Sequence, residues 1–198
     1  MARTLFYGGS FDPIHYGHLQ SARSVAERVG FARVVLVPSW RSPHKLGTTG
    51  GASPDDRLAM CKLATTGDDI FDVDDLELTR GDVSYTIDTV RLLKQRGHSE
   101  VNWLIGADQL PTLPRWREPE ALIAEANVYV MHRPGYAIDW PVLPIWLHGL
   151  RRNVIDIPLS DISSTAIRAK VALGESILDQ VPMGVERYIR EKRLYRGS

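Results

Sequence analysis

Apolar residues cluster along this chain in short runs rich in β-branched and aromatic side chains: Leu5-Phe6-Tyr7, Val34-Val35-Leu36-Val37, Val101-Asn102-Trp103-Leu104-Ile105 and Val128-Tyr129-Val130-Met131. Near-continuous apolar runs of this length read as strands covered on both faces, as in a parallel sheet. Between and beside them the spacing predicts helices over 17–29, 54–66, 84–97 and 119–125, each following a strand and a turn. That alternation is the βαβ rhythm of an α/β, doubly wound sheet, which binds its ligands at the carboxyl ends of the strands. Two further helices, about 163–173 and 182–193, close the chain, with Ser163 or Ser164 available as N-cap.

Three notable stretches follow strand ends and so converge on one edge: Gly8 to His18, Pro38 to Lys45, and Gly106 to Asp108. The loop 38–53 is rich in turn formers (Pro38, Pro43, Gly47, Gly50, Gly51), the make-up of a ligand-covering loop. Residues 134–149 are a second irregular stretch and include Trp140 and Trp146.

Composition narrows the functional classes. The 198 residues, 43% hydrophobic and 24% charged, suit one globular domain. Formal net charge is zero, so no global positive field recruits nucleic acid or an anionic membrane, and an anionic ligand must be held locally. The single cysteine, Cys61, excludes a disulfide framework and reads as a small buried residue. No signal-peptide pattern and no run near the roughly 18 apolar residues of a membrane span occurs, which sets the expectation of a cytoplasmic protein.

The candidate chemistry begins at Gly8-Gly9, where missing side chains would let a phosphate approach the backbone N–H groups. His15 and His18, three apart at a predicted helix start, can both project from its first turn, where unpaired N–H groups and the dipole favour an anion. The HxxH spacing lacks a nearby third and fourth ligand, which argues against zinc and leaves no protein metal site. Neither a Walker loop nor a GxGxxG fingerprint follows the first strand. Far downstream, Ser163-Ser164-Thr165 opens a helix with Arg168 one turn on, a second set of phosphate donors.

With these residues in view, Gly8-Gly9-Ser10-Phe11-Asp12-Pro13-Ile14-His15-Tyr16-Gly17-His18 resembles the HxGH signature of the nucleotidyltransferase superfamily, with Ser10 where bacterial members often have threonine. Ile162 to Arg168 resembles that superfamily's ISSTxIR motif. Pro43-His44-Lys45, Leu78-Thr79-Arg80, Ser84-Tyr85-Thr86-Ile87-Asp88-Thr89, Gly106-Ala107-Asp108 and Trp116 make the chain similar to the bacterial nicotinate-nucleotide adenylyltransferases. The likeness spans nearly the whole chain, including Arg133-Pro134-Gly135, and is weakest over 136–158, where the expectation is a lineage-specific surface or a subunit contact, the latter fitting a homo-oligomer.

The resemblance implies a Rossmann-like core over 1–160 and a C-terminal helical part over 161–198 in a single domain. It implies adenylyl transfer from ATP to nicotinate mononucleotide, with magnesium on the β- and γ-phosphates. His15, His18, Lys45 and Arg168 would be catalytic. Gly8, Gly9, Ser10, Phe11, Gly106, Asp108, Ser163, Ser164 and Thr165 would hold ATP, together with His18 and Arg168. His44, Lys45, Tyr85, Thr86 and Trp116 would hold the acceptor, with the N–H groups of 84–86 receiving a pyridine carboxylate and Trp116 stacking on the ring. The alternatives are a nicotinamide or phosphopantetheine-like acceptor, or a nucleotide-binding regulator without turnover.

Overall fold

The computed structural model describes residues 3–43 and 51–196. Six parallel strands form one sheet in the order β3-β2-β1-β4-β5-β6. They are β1 (Thr4–Gly9), β2 (Arg33–Pro38), β3 (Phe71–Val73), β4 (Asn102–Gly106), β5 (Asn127–His132) and β6 (Val154–Asp156). The helices are α1 (Tyr16–Val29), α2 (Pro54–Ala64), α3 (Leu76–Arg80), α4 (Thr86–Gln95), α5 (Pro119–Glu125), α6 (Ser164–Ala172) and α7 (Met183–Glu191).

The continuous apolar runs have a direct cause: alternate side chains enter two different cores. Leu5, Tyr7, Val34, Leu36 and Leu104 face one layer, with Ala22 and Val25 of α1, Met60 and Cys61 of α2, Ile167 of α6, and Val185 and Ile189 of α7. Phe6, Val35, Val37, Trp103 and Ile105 face the other, with Leu76 of α3, Ile87, Val90 and Leu93 of α4, and Leu122 of α5. The helices of the C-terminal part therefore share a core with the sheet.

Four strands are expected from the sequence and six are found. β3 and β6 are only three residues long and exist as edge strands, β3 paired to β2 and β6 to β5. The 134–149 stretch holds short 3₁₀ turns, and Leu143, Leu147 and Leu150 from this region and the turn after it are buried in the second core. α3 is also absent from the sequence reading, which places no helix between 66 and 84. No helix among the described residues is long and apolar enough to cross a membrane.

This strand order puts the reversal of winding between β1 and β4, which pair with each other in parallel. The crevice of a doubly wound sheet opens where the winding reverses. The chain places Gly8-Gly9 at the end of β1 and Gly106 at the end of β4, on that edge.

Candidate active site

From Gly9 the backbone turns through Phe11, a non-glycine residue in the left-handed region at φ 47°, held there by its buried ring. It reaches His15, which caps α1: the His15 Nδ1 accepts the His18 N–H at 3.3 Å. The two imidazoles are stacked, with centroids 3.7 Å apart. Phe11 lies edge-on behind His18, at 5.2 Å between centroids. A Cβ on Gly17 would stand 3.0 Å from His15 Nδ1 and 2.8 Å from Ser160 Oγ, so glycine is what lets the capping ring fold back over the helix start.

His15 is only 2% exposed. Burial, and after it the charge of Arg133, lowers its pKa from 6.5 to about 4. His15 is therefore neutral at physiological pH. Since Nδ1 accepts a backbone N–H, the ring proton resides on Nε2.

The N-terminus of α6 docks on this loop. Arg168 Nη1 donates to the Asp12 carbonyl at 2.8 Å, and the Ser164 hydroxyl donates to the Pro13 carbonyl at 3.0 Å. Ser163 is the N-cap, accepting from Ala166 N–H at 3.2 Å, and Thr165 Oγ1 accepts from Arg168 at 3.4 Å. The two distant motifs thus meet at the loop that follows β1.

A cleft of about 490 Å³ opens beside the loop, lined by Gly8, Gly9 and Ser10, by Tyr85, Thr86 and Trp116, and by Asp108. The glycine loop after β1 and the turn at the start of α4 meet there. Gly106 leaves room for the Asp108 carboxylate, whose Oδ1 would be 2.2 Å from a Cβ at that position. His44 and Lys45 lie outside the described residues.

Two details correct the sequence reading. Gly8 is a glycine because the Trp103 indole occupies the space of a side chain: a Cβ would stand 2.3 Å from Trp103 Cζ2. Packing against Trp103 accounts for its missing side chain, and Gly8 also lines the cleft. Second, the Ser84 and Tyr85 N–H groups do not offer themselves to a carboxylate. They donate to the carbonyls of Arg41 at 2.9 Å and Val83 at 3.1 Å, so Thr86 supplies the first N–H of this turn available to a ligand.

Arg57, on α2, is missed by sequence reasoning. It is 6% exposed and donates to the Ser10 and Ser39 carbonyls, each at 2.6 Å, and to Trp40 at 3.0 Å, pinning together the loops that leave β1 and β2. A helical arginine gives no sign of burial in its own sequence.

Residues 6–170 match the cytidylyltransferase-like family. The chain is 42% identical over 191 residues to a protein of Roseiflexus sp. (strain RS-1) named "Probable nicotinate-nucleotide adenylyltransferase", with 96% of each chain covered. A protein of Opitutus terrae bearing the same name is 42% identical over 194 residues, covering 98% of this chain and 97% of that one. The chain belongs to the nicotinate-nucleotide adenylyltransferase family. Its fold is also that of Plasmodium falciparum nicotinic acid mononucleotide adenylyltransferase, solved in complex with NaAD, at TM-score 0.75 and 19% identity over 98% of both chains.

Within this nucleotidyltransferase family member, the histidine pair and the start of α6 sit on one loop, next to a cleft walled by Tyr85, Trp103 and Trp116. No group of three or more His, Cys, Asp or Glu residues that could hold a metal ion exists among the described residues.

Proposed function

We propose that this cleft transfers the adenylyl group of ATP to the phosphate of nicotinate mononucleotide, giving nicotinate adenine dinucleotide and pyrophosphate. The observation that carries the reading is the stacked His15–His18 pair on a loop whose Asp12 carbonyl holds Arg168 of the far motif and whose first residues, Gly8 to Ser10, line the cleft together with Thr86 and Trp116.

An acceptor phosphate oxygen attacks the α-phosphorus of ATP. The new P–O bond forms as the bond to the bridging oxygen of pyrophosphate breaks. The attacking oxygen is already anionic, so no strong general base is needed, and rate comes from alignment and charge stabilisation. His18 and the Nε2–H of His15 donate to the α-phosphate. Arg168 and Lys45 neutralise the polyphosphate, which enters as its magnesium complex. Thr165 and the first N–H groups of α6 complete the anion site, Ser163 being engaged as cap and Ser164 on Pro13.

On the acceptor side, Thr86 N–H at the start of α4 meets the pyridine carboxylate and Trp116 stacks on the ring. A neutral amide gains less from that positive helix end, which favours nicotinate over nicotinamide. Asp108 accepts from the nucleotide's ribose hydroxyls or base N–H groups. A pyrophosphate-release assay with ATP, magnesium and a panel of phosphate acceptors tests this reading. Turnover confined to pyridine mononucleotides, led by nicotinate mononucleotide, is expected, and ATP binding with no release from any of them would overturn it.

A further inference from the structure

The cleft contains an acidic side chain that none of the motifs explains. Glu77, on α3, is 3% exposed, yet it lines the cleft. Burying a carboxylate is unfavourable unless donors and opposite charge compensate it, and here both are present. The hydroxyls of Ser84 and Thr89 donate to it, and the guanidinium groups facing it are Arg80 on its own helix and Arg57 on α2.

Those two hydroxyls bracket the acceptor turn. Ser84 immediately precedes Tyr85, the N-cap of α4, and Thr89 closes the first turn. The cap itself has no side-chain hydrogen bond to steady it. Ser84 also accepts from the Trp40 N–H at 3.0 Å. The Trp40 carbonyl accepts from Arg57 at 3.0 Å, and Arg57 reaches the Ser10 carbonyl at 2.6 Å. A continuous chain of hydrogen bonds thus runs from Glu77 through Ser84, Trp40 and Arg57 to the phosphate loop.

We propose that Glu77 is a positioning residue that holds the acceptor-binding turn of α4 in register with the phosphate loop at Ser10. The proposal rests on the reading of the cleft as the acceptor site. Its physical basis is the steep dependence of an in-line displacement on placement, where an error near 1 Å costs about 100-fold in rate. Glu77 itself does not touch the reacting atoms. It acts through Ser84 and Thr89.

Glu77→Gln keeps the volume and one acceptor oxygen but removes the charge and adds a donor facing two hydroxyls that already donate. Steady-state kinetics of the full-length enzyme with ATP and nicotinate mononucleotide should show kcat/KM for the acceptor falling about 10- to 100-fold. The KM for ATP should move by no more than about twofold, because the α1 and α6 donors are untouched. Ser84→Ala should give the same pattern at smaller amplitude, and the double variant should be no worse than Glu77→Gln alone, because both break one chain.

A merely structural Glu77 would lower thermal stability and leave the constants of the folded enzyme unchanged. That result, or independent additive losses in the double variant, would overturn the proposal. Should Glu77→Gln fail to fold, Ser84→Ala decides: unchanged acceptor constants in it overturn the proposal. An active wild type with an unaltered Glu77→Gln variant defeats the role of Glu77 alone, whereas a wild type inactive with nicotinate mononucleotide defeats the acceptor reading and this proposal together.

Discussion

The imidazoles of His15 and His18 lie face to face, 3.7 Å between centroids and 27° between planes, at the first turn of α1. The pair divides the labour: His15 is the buried cap whose ring supports its neighbour, and His18 is wedged between that ring and Phe11. Orientation of His18 is thus set by packing before any substrate arrives. Removing its side chain should leave the fold intact, because α1 keeps its cap. His18→Ala should retain its far-ultraviolet circular dichroism and lose roughly two to three decades of kcat, the scale of a lost transition-state donor. Near-normal turnover in a folded variant would take His18 out of the mechanism.

Neutral His15 makes stability depend on pH. In the unfolded chain it binds a proton near 6.5, whereas burial first, and Arg133 second, hold it near 4 in the fold. The unfolded state therefore binds more protons between these values. The stability associated with neutral His15 is fully present above the unfolded pKa and is lost as pH falls through the folded one. Urea unfolding should show a loss of about 2 kcal/mol from this group between pH 7 and pH 5. His15→Asn, which preserves a cap acceptor for His18 N–H, should flatten that part of the profile.

Gly8 sits under an indole. Gly8→Ala forces a Cβ to within 2.3 Å of Trp103 Cζ2 unless the ring moves, and that ring also lines the cleft. Overpacking of this kind should cost about 1–3 kcal/mol in urea unfolding. Combining it with Trp103→Phe should recover part of the loss relative to the sum of the single changes, since the two positions share one space.

Arg57, itself only 6% exposed, satisfies three carbonyls. Arg57→Met has similar length but no donor, leaving the Ser10, Ser39 and Trp40 carbonyls short of a partner. A loss of about 3 kcal/mol or more is expected in urea unfolding, on the scale of removing charged hydrogen bonds from buried acceptors. A change within experimental error would show that the loops at the ends of β1 and β2 do not depend on the clamp.

How legible this molecule was depends on the range of the interactions. The four longer strands declare themselves because Leu5, Tyr7 and Phe6, or Val34 to Val37, are buried on both sheet faces, and that leaves an unbroken apolar run. Phe71-Asp72-Val73 and Val154-Ile155-Asp156 have no such run, and their strand geometry comes from pairing with β2 and β5. The histidine pair is readable because a helix start fixes its spacing locally. The packing reason for Gly8 was not readable because its partner, Trp103, arrives from β4. Arg57 and Glu77 leave no trace in pattern, since a buried charge on a helix is recognisable only from the carbonyls and hydroxyls that surround it.

The central claim, adenylyl transfer to an acidic pyridine nucleotide, is tested most directly by comparing kcat/KM for nicotinate mononucleotide and nicotinamide mononucleotide, with ATP and magnesium held constant and pyrophosphate release as the readout. The two acceptors differ by a carboxylate in place of an amide, the group assigned to Thr86 N–H at the positive end of α4. The account predicts at least about a tenfold preference for the acid, the scale of one charge-assisted hydrogen bond. Equal efficiencies, or a preference for the amide, would contradict it.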